Sequence, residues 1–181
     1  MNEGHSMKSP FASSLVVLGL WIPCSVATDT KPEQVAKAKA EEVLQATLKG
    51  DFGKLADLTY PKVVESLGGR DKMIAKLEAS SKEMKSKGVT FRSVKVGDVL
   101  QLAPSDSHLF ALLPMTLEMK IPTGTITVKS FLLGISSDKG KTWTFFNGDK
   151  MDDEKAKKLL PSLPAKLKLP KKEKPVFRKD E

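Results

Sequence analysis

At 181 residues, with 40% hydrophobic and 29% charged side chains, the chain is long enough for one domain and too apolar to be disordered throughout. Its 30 basic and 22 acidic residues give a formal charge of +8, which favours polyanions and anionic surfaces over cationic partners. A single cysteine excludes a disulfide framework and any cysteine-rich zinc site.

Residues 7–27 have the form of a signal peptide. Lys8 supplies the positive start, residues 11–22 form an apolar run, and Ser25, Val26 and Ala27 give the small-x-small cleavage pattern. The run falls short of the about 20 residues that span a bilayer. Met7 heads a more typical signal than Met1. Cleavage after Ala27 places the protein outside the cytoplasm, secreted or periplasmic, and removes Cys24. Lipidation of Cys24 is disfavoured, because Pro23 stands where a small residue is needed. The expected division is a signal peptide over 1–27, one domain over 28–160, and a basic Pro/Lys-rich tail over 161–181.

Helices come first. Thr30, Lys31, Pro32 and Glu33 read as a capping box with proline in the first turn. Ala36, Ala40, Val43, Leu44 and Thr47 then recur at helical spacing up to Gly50. Asp51 caps a short second helix carrying Leu55 and Leu58, and Pro61 resets the chain. Val63, Val64 and Leu67 form a further turn that Gly68 and Gly69 end. Asp71 is expected to cap a longer helix with Ile74, Leu77, Ser81 and Met84 on one side and Gly88 at its end.

From Val89 the period changes to two. Residues 91–96 and 99–103 read as strands separated by Gly97 and Asp98. Leu109, Ala111, Leu113, Met115, Leu117, Met119 and Ile121 then fill every second position. The opposite face begins apolar at Phe110 and Leu112 and turns polar from Thr116 through Glu118 and Lys120. Pro114, which lacks a ladder donor, marks a bend or bulge. Residues 125–136 mirror this pattern, so the two strands should form a hairpin about Thr123 and Gly124. Matching apolar faces gives facing residue numbers that sum to 247, with Met119 opposite Val128 and Glu118 opposite Lys129. The alternative sum of 246 sets apolar against polar. A last strand covers 142–147. Asp152, Asp153 and Glu154 start a short C-terminal helix that Pro161 ends, and the lysine-rich remainder reads as solvated chain.

Three groups of residues carry the candidate chemistry. Ser136, Ser137, Asp138, Lys139, Gly140, Lys141, Thr142 and Trp143 match the pattern S-x-D-x-G-x-T-W. The stretch looks like an Asp-box, the hairpin repeated in sialidase propellers. One copy in a chain without repeats points to a structural hairpin: Asp138 accepts turn N–H groups, Gly140 takes a positive φ and Trp143 packs beneath. His108 is the last histidine after export, and alone it anchors no ordinary metal site. With Asp57 and Tyr60 it makes the acid–base trio worth testing. Leu113, Met115, Leu117 and Met119 are the candidates to line a ligand pocket. No phosphate-binding or nucleophile-elbow motif is present, and no metal or cofactor is expected.

Three helices followed by long antiparallel strands, with the bend at Pro114, resemble the cone-shaped nuclear transport factor two-like superfamily. Lys49, Gly50, Asp51 and Phe52, followed by Leu55 and Leu58, resemble the inter-helix step of that group. The resemblance covers about residues 32–147. It implies an α+β fold with N-terminal helices packed on a curved antiparallel sheet of four to five strands. Members of the superfamily include isomerases, cyclases and dehydratases with acid–base residues inside the cone. A cystatin-like sheet wrapped on one helix is the structural alternative. The expected function is a secreted, non-enzymatic binding or interaction domain with a concave apolar sheet face. The alternative is a small-molecule isomerase, dehydratase or hydrolase. Expected partners are a small apolar ligand or a protein, a second copy of the chain, and weak polyanion or membrane-surface contact through the basic tail.

Overall fold

A computed structural model describes residues 30–148, 158–171 and 173–179. The signal-peptide residues and the helix start at Asp152, Asp153 and Glu154 lie outside the described residues. The chain runs α1 (Pro32–Lys49), α2 (Phe52–Asp57), α3 (Pro61–Ser66), α4 (Arg70–Ser86), then β1 (Thr90–Val96), β2 (Gln101–Pro104), β3 (Leu109–Ile121), β4 (Gly124–Ser136), β5 (Thr144–Asn147) and β6 (Val176–Lys179). It is an α+β fold with its helices N-terminal to an antiparallel sheet.

Two helix starts differ from the sequence reading. Lys31, not Thr30, is the N-cap of α1, and no side chain caps it. Proline at the first helical position has no N–H to satisfy and its fixed φ already suits the helix, so the start sits one residue later than a capping box requires. Gly69, at φ 97, precedes α4 and puts Asp71 inside the first turn instead of at the cap. Asp51 does cap α2, its carboxylate accepting from Lys54 N at 3.0 Å. Ala36, Ala40, Val43, Leu44 and Ala46 form the buried stripe of α1, while Thr47 turns its hydroxyl back to Val43 O at 2.9 Å.

Among the described residues the sheet has six strands, one more than the upper expectation. β3 and β4 form its central ribbon. β1 and β2 lie end to end along the free edge of β3, and β5 and β6 do the same along β4. The break between β1 and β2 faces Pro114. Gly97 N donates to Pro114 O at 2.9 Å and Leu100 N to Leu112 O at 2.8 Å, so the missing N–H of Pro114 also points to that edge. The ladder is interrupted where it lacks a donor. A second irregularity falls between Phe91 and Ser93, which leaves Arg92 as a bulged residue.

The register of the central ribbon corrects the expected sum of 247. Met119 faces Ile126, Leu117 faces Val128 and Glu118 faces Thr127, so facing numbers sum to 245. Pro122 and Thr123 form the turn, and Gly124 follows at φ 157. Proline's fixed φ suits the first corner of a turn, which moves the turn back by one residue on each strand. Parity is unchanged, so apolar still faces apolar and the 246 pairing of Met119 with Thr127 does not form.

Two cores lie on the two faces of the sheet. Under α1, Ala111, Leu113, Met115, Leu132, Trp143 and Phe145 pack against Ala36, Ala40, Val43 and Leu44. On the other face Phe110, Leu112, Phe131, Leu133 and Ile135 are covered by Tyr60, Leu160 and Leu167. Each fully buried Leu or Phe stabilises by about 1.5–3 kcal/mol. The C-terminal segment is therefore structural in part: Leu160 and Leu167 enter the second core, and Val176–Lys179 pairs with Gly124, Thr125, Ile126 and Thr127 of β4. Proline and lysine dominate this stretch in sequence and conceal its few apolar contacts.

Candidate functional site

Tyr60 and His108 share one cleft, and Asp57 is not part of it. The link between α2 and α3 runs beside β5, with Phe145 N donating to Leu58 O at 2.7 Å and Tyr60 N to Phe145 O at 2.9 Å. This bridge fixes Tyr60 against the second core, 8% exposed. His108 is placed by a turn in which Ser105 N donates to His108 O at 2.8 Å and His108 N donates to Ser105 Oγ at 3.2 Å. Its Nδ1 lies 2.7 Å from Ser107 Oγ and 3.3 Å from Ser162 Oγ. The ring also lies 6.0 Å from that of Phe110, tilted at 46°.

The cleft measures 380 Å³, and Glu65, Thr142 and Thr144 line it with Tyr60 and His108. Burial raises the Tyr60 phenol above its ordinary value, and the nearby Glu65 charge adds to the effect. Glu65 itself is exposed. Sequence reading missed Glu65 and Ser162, which reach the site only through the α3 turn and the C-terminal segment. The period-two placement of Thr142 and Thr144 was the available signal for those two.

Asp57 belongs to a different local structure. Arg70 clamps it with two bonds, Nε to Oδ1 at 2.7 Å and Nη2 to Oδ2 at 3.1 Å, and Nη2 also reaches Gly53 O at 3.3 Å. Hydrogen bonding to Arg70 holds the carboxyl below its ordinary range. The clamp joins α2 to the start of α4.

The other candidates fall in packed structure. Leu113 is fully buried and Met115 nearly so, both in the α1 core, while Leu117 and Met119 are half-buried further along β3. The apolar face considered for a ligand is thus occupied in its first half by the protein's own helix. Among the described residues no group of three His, Cys, Asp or Glu is close enough to hold a metal ion, and no helix is long and apolar enough to cross a membrane.

Beside the cleft, residues 136–143 form a hydrogen-bonded hairpin. Asp138 Oδ1 accepts from Lys141 N at 3.0 Å, Thr142 N at 2.9 Å and Ser136 Oγ at 2.8 Å, and Oδ2 accepts from Thr142 Oγ1 at 2.7 Å. These bonds, led by those from Thr142, lower the Asp138 pKa from 3.8 to about 2. Lys139 takes φ 62 and Gly140 φ 92. A Cβ on Gly140 would come within 2.6 Å of Pro32, so this turn packs tightly on the start of α1. Trp143 is 3% exposed and its Nε1 donates to Gly140 O at 3.0 Å. Gly134 makes the seat for the ring: a Cβ there would lie 3.0 Å from Trp143 Cε3 and 3.1 Å from Phe145.

No protein-family model matches the chain, and no curated protein matches it. Among solved structures, the chain is similar to an LEH-like epoxide hydrolase from M. tuberculosis. The identity is 16% and the TM-score 0.36, over 77% of this chain and 100% of that one.

Proposed function

We propose that the chain is an exported, non-enzymatic binding domain that takes a small polar ligand in the cleft between Tyr60 and His108. The observation that carries this reading is the separation of Asp57 from those two residues. A carboxyl serving as general acid or base needs a pKa drawn toward neutrality and a place beside its partner. Asp57 has its pKa lowered by Arg70 and lies outside the cleft, while Glu65, which is inside, is exposed. The Tyr60 hydroxyl and the His108 imidazole provide polar partners for a ligand instead, and the Thr142 and Thr144 hydroxyls, which donate to Asp138 and Ile135, can accept from it.

The test is native mass spectrometry of protein secreted from living cells. The expected result is a retained small molecule, lost from His108→Ala and from Tyr60→Phe while both variants stay folded. Epoxide hydration, the activity named for the compared M. tuberculosis protein, is the control reaction. Turnover of styrene oxide abolished by Asp57→Asn would replace this reading with the hydrolase alternative.

A further inference from the structure

The segment covering the second core leaves it after Leu169. A groove of 230 Å³ lies there, and none of its lining residues belongs to the Tyr60–His108 cleft. Its floor is Pro114, half-buried, whose cross-strand partner Phe131 is 6% exposed. Leu100 and Pro170 form apolar walls, and Leu100 is 61% exposed.

The far rim is basic. Lys95, Thr116 and Lys129 are paired in one row across β1, β3 and β4, so they share this face. Lys171 lines the groove from the departing segment. Lys129 lies 3.4 Å from Glu173 with both side chains 62% exposed. No described carboxylate pairs with Lys95 or Lys171. Among the described lining residues Lys129 and Lys171 outnumber Glu173, the one acid, so their local balance is positive.

We propose that this groove binds a small amphipathic carboxylate. Its hydrocarbon part rests on Leu100, Pro114 and Pro170, and its charged end lies between Lys129 and Lys171. The volume is below the about 300–1,000 Å³ of common ligand pockets, so a short chain fits and a full-length lipid does not. Glu173 competes for Lys129, and its release accompanies binding.

Octanoate is the probe, titrated into the full mature chain and followed by amide NMR. Saturable shifts are expected at Leu100, Thr116 and Phe131, with Tyr60 and His108 unmoved, which separates this site from the proposed cleft. Lys129→Gln combined with Lys171→Gln should weaken binding about tenfold or more, and Glu173→Gln should tighten it. All three positions are exposed, so folding is retained. Octanol, with the same body and no charge, should bind about tenfold more weakly than octanoate. Octanol binding as well as octanoate, or indifference to the double lysine change, would overturn the proposal. So would binding to phosphatidylserine vesicles without binding of free octanoate, since the lysines would then serve a flat surface contact.

Discussion

The two ends of the β3–β4 ribbon are built from the same two strands but fold under different rules. At the base, Phe110, Ala111, Leu112 and Leu113 face Ile135, Gly134, Leu133 and Leu132, with a core on each side. At the tip, Thr116, Glu118 and Lys120 face Lys129, Thr127 and Thr125, and one face is polar. Pro114 stands at the border, opposite the break between β1 and β2. The base is held by burial with small residues placed to admit large ones. The tip is held by ladder bonds and a half-buried apolar face.

The sharpest way to break the base is to remove the ring that Gly134 accommodates. Trp143→Ala should destabilise by about 3–5 kcal/mol in chemical denaturation, as deletion of a buried aromatic does. Unchanged stability would move the weight of the base elsewhere. The turn above it should give a smaller, pH-dependent effect. Asp138→Asn should lower stability at neutral pH by about 1 kcal/mol, because a neutral amide accepts the turn hydrogen bonds more weakly than a carboxylate. The folded pKa is depressed, so the wild-type advantage is present above 3.8 and is lost as pH falls toward about 2. Paired denaturation curves of wild type and variant across that window check the sign.

The tip should answer in the opposite direction. Thr125 is 2% exposed and its hydroxyl has no hydrogen-bond partner among the described residues. Thr125→Val removes an unsatisfied buried polar group and suits a strand, so it should raise stability by about 0.5–1 kcal/mol in thermal unfolding. A loss instead would mean that the hydroxyl is satisfied in solution.

Much of this architecture was legible in sequence because period carries it. The alternation along residues 109–121 placed β3 to the residue, and the polar turn from Thr116 onward separated tip from base. The stripe of α1 and the cap at Asp51 were equally visible. What escaped depends on pairs distant in sequence. Nothing about Gly134 distinguishes it until Trp143 is folded over it. Arg70 gives no sign that it will take Asp57 away from Tyr60 and His108. The hairpin register was set by where proline enters the turn, a local preference that the face-matching argument could not resolve between two sums of equal parity. Val176 and Phe177 were hidden between Pro175 and Arg178, and two apolar residues among lysines carry too little period to read as a strand.

That last strand has a consequence for how the sheet breathes. All four residues of β6 are exposed, and Val176 and Phe177 keep 62% and 53% of their surface in water. Its pairing therefore rests mainly on backbone bonds, without the burial that locks β5 in place. Such a segment opens at a small fraction of the global unfolding free energy, and its amides exchange early while the central ribbon stays protected. Each opening uncovers the edge of β4 from Gly124 to Thr127, a row of backbone groups ready to accept another strand. Arg178 and Lys179 sit beside that edge, and their like charges oppose its capture by a second copy of the same segment.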